Sequence, residues 1–130
     1  MAFTPDLPKA ARRHLQAADF LNSGPRRDVA GYLYGIAAEC AIKQLTIPVP
    51  MGPQHDKSAI LYAHFPELRT LLRDALSGRN TQTLARFVFN DAFLNNWGIG
   101  MRYANPAQIL SEWVDSWAKQ AKDVVNAMGT

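Results

Sequence analysis

Cysteine is nearly missing from this chain, with Cys40 its only example. A lone thiol excludes an intrachain disulfide and a cysteine metal cluster. Inside an apolar helical segment it reads as a small core residue rather than a nucleophile. Strand signals are missing too: there is no period-two alternation, no Asn-Gly or Asp-Gly hairpin turn and no repeat of solenoid length. The longest apolar stretch is interrupted by Glu39 well short of a membrane span, and no N-terminal segment joins basic residues to an apolar run and a cleavage site. A chain free of membrane association, in the cytoplasm, is the resulting expectation. The formal net charge of +3 is too small to argue a polyanion partner alone. Nine of the fourteen basic residues are arginine, whose planar guanidinium suits phosphate and carboxylate. The doublets Arg12–Arg13 and Arg26–Arg27 read as solvated arginines on and after a first helix.

What is present is helical periodicity in a chain of 130 residues, enough for one domain over residues 1–130 with a self-sufficient core. Leu7, Ala11, Leu15, Ala18 and Leu21 form one stripe that stops near Asn22-Ser-Gly24-Pro25. Asp28 is placed to cap a second helix, which must end before Pro48-Val-Pro50-Met-Gly52-Pro53. Asp56 can cap a short turn through Tyr62. After Pro66, Leu68, Leu71, Leu72, Ala75 and Leu76 predict an amphipathic helix closed by Gly78, and Thr81 can cap another with Leu84, Phe87, Val88 and Leu94 turned toward Trp97. Asn105-Pro106-Ala107-Gln108 has the order of an N-cap, a first-turn proline and a third-position glutamine, so it predicts the start of the last helix. Leu110, Val114, Trp117, Ala121, Val124 and Met128 then give a heptad-like seam, with Trp113 beside it as core rim or subunit contact. The fold class expected is all-α, a single-domain up-down bundle of four long helices plus short helical pieces.

The segment Asp28–Leu45 is apolar almost all the way round, which places it at the centre of such a bundle. It carries one acid there, Glu39. An acid in that position must be paired or un-ionised, and Lys43, one turn later, or Arg102 are its expected partners. A structural pair and a site both remain open.

Chemistry is otherwise sparse. Gly98-Ile-Gly100 lacks the preceding strand, the lysine and the further glycines of a phosphate loop. His14, His55 and His64 have no metal-ligand spacing with each other or with acids. No cofactor, metal site or catalytic residue is expected.

Ala30-Gly-Tyr-Leu-Tyr-Gly-Ile-Ala-Ala-Glu39-Cys-Ala-Ile-Lys43, then His64-Phe-Pro-Glu-Leu68, then Trp97 and Met101-Arg102-Tyr103 before a long final helix, resemble in order the bacterial HEPN domains. These are small helical bundles found beside nucleotidyltransferases and in toxin–antitoxin and defence systems. The resemblance implies a homodimer and, as possible partners, a nucleotide, RNA or a nucleotidyltransferase-like protein. Active HEPN domains resemble metal-independent ribonucleases with an arginine followed four to six residues on by histidine. Arg102 stands in the arginine's place, but Ala107, Gln108 and Ile109 hold the histidine positions. Without an imidazole there is no evident general base at neutral pH. The expectation is therefore a non-catalytic module that binds a nucleotide, RNA phosphate or a protein through a notch of Arg102, Glu39, Lys43, Tyr103 and Asn105. The alternative is a metal-independent ribonuclease whose atypical base, His14 or His64, arrives from another helix.

Overall fold

In a computed structural model of the chain, residues 3–76 and 82–129 are described, and among them every regular element is helical. The order is α1 (Leu7–Asn22), α2 (Arg27–Thr46), α3 (Lys57–Tyr62), α4 (Glu67–Leu76), α5 (Gln82–Val88), two 3-10 turns (Ile99–Tyr103 and Pro106–Gln108) and α6 (Ser111–Ala127). The all-α class stands. The predicted four long helices do not: α1, α2 and α6 have 16, 20 and 17 residues, whereas α4 has 10. Gly78 and Thr81, read as a stop and a cap, lie outside the described residues.

Helix α2 is the axis of the fold. Ala30, Ala37, Ala38, Ala41 and Ile42 are wholly buried, because α1 packs along one side and α6 along another. The short loop after α1 makes α1 and α2 an antiparallel hairpin, tied by Tyr34 donating to Asp19 Oδ1 at 2.6 Å. Alternation then stops. Arg27, in the first turn of α2, bonds both Ser111 and Asp115 in the first turns of α6, so the two helices start at the same end of the core. The elements between α2 and α6 are the shorter ones, and with α2 and α6 starting at one end a regular up-down order is not formed. Arg27 also donates from Nε to Asn22 Oδ1 at 2.7 Å. The predicted solvated arginine is instead a clamp joining three helices.

Two of the expected caps are displaced. The N-cap of α2 is Arg26 without a side-chain bond, and Asp28 sits inside the first turn, paired with Arg26. Asn105 does cap, its Oδ1 accepting from Ala107 N–H at 2.9 Å, but what it caps is a 3-10 turn. Ile109 and Leu110 are then extended, with ψ of 103 and 140°, so α6 begins only at Ser111. Asp56 caps α3 as expected, accepting from Ala59 N–H at 3.2 Å. In α6 the seam is buried at Val114, Trp117, Ala121 and Val124, while Leu110 is exposed and Met128 half-buried.

The segment between α5 and the first 3-10 turn is held by α6. Leu94 and Asn96 have φ of 52 and 70°, backbone that non-glycine residues seldom adopt. Gln120 stabilises it by acting like a strand edge: its Oε1 accepts from Leu94 N–H at 2.8 Å and its Nε2 donates to Ala92 O at 2.8 Å. Trp117 adds an indole N–H bond to Asn95 O at 2.9 Å. The loop so fixed delivers Trp97 to α2.

Candidate functional site

Trp97 is the post on which the candidate site is built. Its indole lies on the glycine face of α2, donates to Gly31 O at 3.2 Å and is almost wholly buried. Tyr32 stacks on it with ring centroids 6.0 Å apart and planes 16° from parallel. With Trp97 fixed, the 3-10 turn Ile99–Tyr103 is placed against the start of α2.

Arg102, on that turn, opens into a notch of about 160 Å3 lined by Asp28, Val29, Tyr32, Met101, Pro106 and Ile109 among others. The guanidinium is exposed and lies 5.2 Å from the ring centre of Tyr103, itself exposed. Arg102 makes no ion pair among the described residues. Asp28, the one acid of the lining, is already paired with Arg26. Arg102 and Tyr103 are neighbours on the same turn, but neither Tyr103 nor Asn105 lines the notch; Asn105 shapes the next turn through its bond to Ala107.

Glu39 and Lys43 are elsewhere. Glu39 is 3% exposed, and its partner is neither Lys43 nor Arg102. Its Oε1 accepts from His64 Nδ1 at 2.9 Å and its Oε2 from Phe65 N–H at 2.7 Å. Phe65 lies in the turn before α4, and its N–H takes the Glu39 carboxylate as acceptor. The carboxylate accepts only, so Nδ1 of His64 carries the proton, and in the neutral imidazole Nε2 holds the lone pair. The His64 side chain is 46% exposed and borders a cavity of about 320 Å3 with Tyr62, Pro66, Glu67, Gly98, Ile99 and Gly100. A buried acid fixing the tautomer of a half-exposed imidazole is the geometry of a proton acceptor. Gly98–Gly100 border this cavity and Met101–Arg102 the notch, so one short turn separates the two.

Sequence alone offers His64 only as an alternative base alongside His14, without the Glu39 carboxylate as its partner. The signal that could have found it is the need of a buried acid for donors, combined with a pre-proline segment offering both an imidazole and a free N–H. The other two histidines are structural: His14 Nδ1 lies 2.7 Å from Ala10 O within its own helix, and His55 is 3.9 Å from Asp74. Cys40 is half-buried, and burial pushes its thiol above the ordinary value, which makes it a poor nucleophile as expected. Among the described residues no group of three or more His, Cys, Asp or Glu side chains converges on a metal position. No helix there is long and apolar enough to cross a membrane. Compared with family models, curated proteins and solved structures, the chain matches none.

Proposed function

We propose that this chain is a HEPN-like helical module that binds the phosphate of a nucleotide or RNA at the Arg102 notch and does no chemistry in the notch itself. One observation carries the reading: an exposed guanidinium without a carboxylate partner among the described residues, flanked by Tyr103 and opening on Tyr32. An unpaired arginine offers paired donors to phosphate, and neighbouring aromatic rings accept a stacked base. The residues at 107–109, Ala-Gln-Ile, supply no proton acceptor. On this reading the domain is a cytoplasmic homodimer with a nucleotidyltransferase-like protein as a partner in a toxin–antitoxin or defence setting. Fluorescence anisotropy with a short labelled RNA and with ATP tests it. Arg102→Ala should weaken binding about tenfold, the scale of one charged hydrogen-bonded contact. Equal affinity in wild type and variant overturns the reading.

A second reading, a metal-independent ribonuclease with an atypical base, is supported by the Glu39–His64 pair. In that reaction His64 Nε2 takes the proton of a 2′-hydroxyl, its oxygen bonds the adjacent phosphorus, and the 5′-oxygen leaves with a proton from water. RNA degradation in the presence of a chelator, compared between wild type and His64→Gln, separates the two. Cleavage lost in the variant favours the nuclease. Arg102-dependent binding without cleavage in either protein favours the binding module.

A further inference from the structure

Lys43, grouped with Arg102 by sequence, belongs to a different cavity. That cleft, about 490 Å3, lies where the start of α1, the end of α2 and α3 meet, and is lined by Pro5, Leu7, Lys43, Ile47, Lys57, Ser58, Leu61 and Tyr62. Its volume falls within the roughly 300–1,000 Å3 common for small-molecule sites. Its walls are hydrocarbon apart from two ammonium groups and the hydroxyls of Ser58 and Tyr62, and no lining residue is acidic. Lys57 is fixed: its Nζ donates to Ile47 O at 2.9 Å and to Val49 O, capping the carbonyl end of α2. Lys43 is half-buried and has no acid within ion-pair distance among the described residues. Ile47 and Tyr62 expose 46% and 81% of their surface, an apolar area that a bound chain would cover.

We propose that this cleft binds a free medium-chain carboxylate, with the hydrocarbon along Leu7, Ile47, Leu61 and Tyr62 and the carboxylate at Lys43. The apolar walls ask for a hydrocarbon, and uncompensated positive charge at one edge asks for an anionic head. A purely apolar ligand would leave the Lys43 amine facing hydrocarbon, and a small anion would leave the walls wet. The cleft shares no lining residue with the Arg102 notch, so the two sites act independently.

Isothermal titration calorimetry with octanoate, decanoate and 1-decanol, each below micelle formation, tests this. Each buried methylene tightens binding about threefold to fourfold, so decanoate should bind about tenfold tighter than octanoate. Lys43→Met keeps the stem and removes the charge; it should weaken decanoate binding about fivefold to tenfold and leave decanol unchanged. Ser58→Trp, at an exposed rim position where folding is not at stake, should block both ligands. Arg102→Ala should leave decanoate affinity as it is. Absence of decanoate binding to the wild type, equal affinity for decanoate and decanol, no effect of Ser58→Trp, or loss of binding in Arg102→Ala each overturns the proposal.

Discussion

The indole of Trp97 occupies the space that a side chain on Gly35 would need: a β-carbon there would lie 1.8 Å from Trp97 Cε2. One turn earlier, a β-carbon on Gly31 would meet Trp117 at 3.0 Å and Val114 at 3.1 Å. The two glycines of α2 thus seat two tryptophans from different parts of the chain. Alanine is worth about 1 kcal/mol over glycine in a helix interior, so Gly31→Ala should be close to neutral, since its contacts need shift only a few tenths of an ångström. Gly35→Ala must displace a buried ring, and should cost about 3 kcal/mol. Urea denaturation followed by tryptophan fluorescence compares them; equal stabilities would mean that Trp97 is not seated on α2.

Removing the Glu39 carboxyl strands Phe65 N–H and releases His64. Glu39→Ala should therefore destabilise the fold by about 2–3 kcal/mol, the cost of an unsatisfied buried donor with a small cavity. Glu39→Gln keeps one acceptor for Phe65 and should lose about half of that. A loss under about 1 kcal/mol for Glu39→Ala, again by denaturation, would place the acid outside the core.

Burial, reinforced by the hydrogen bond to Asp19 and its negative charge, pushes the Tyr34 phenol well above its ordinary value of 10.0. A folded-state value above the unfolded one favours the protonated fold, so the contribution is fully present below pH about 10 and is lost as pH rises beyond it. The expected slope is at most about 1.4 kcal/mol per pH unit. In an ultraviolet absorbance titration Tyr34 should lag the other tyrosines, and Tyr34→Phe should cost about 1 kcal/mol at neutral pH while flattening the alkaline decline. Ionisation of all the tyrosines together would refute this.

The proposed homodimer needs a surface beyond the tryptophan pair of α6. Trp117 is spent inside the protomer, 1% exposed, and Trp113 leans on it with ring centroids 6.1 Å apart. Exposed Leu110, at the start of α6, is the apolar side chain beside that pair which the contact would use, Phe20, Leu71 and Phe89 being exposed on other elements. Sedimentation velocity at micromolar concentration should show twice the 14.4 kDa chain mass, and Leu110→Asp should return it to one chain. A single-chain species in the wild type would refute the dimer.

The bounds of α1 and α3, the central place of α2 and the buried seam of α6 were legible because each depends on local periodicity and punctuation: Leu7 to Leu21, Asp56, Pro48, and Val114 to Val124. The grouping of Arg102 with Tyr103 was legible for the same reason, being two neighbours on one turn. Glu39 was legible as a buried acid in need of partners. Which partners it finds was not, since His64 and Phe65 lie 25 and 26 residues away and are brought to it by the fold of the intervening segment.

The sequence by itself determined helix type, the apolar character of α2 and the absence of an imidazole after Arg102, because these follow from composition and short-range spacing. Only the tertiary structure decided that α6 starts beside the start of α2, that Gln120 and Trp117 hold the Leu94–Asn96 turn, and that Glu39 is buried against His64 and Phe65 while Lys43 and Arg102 border two separate cavities. Those outcomes depend on how helices of similar apolar pattern pack against one another. Side-chain donors reach acceptors far along the chain only after that packing is complete.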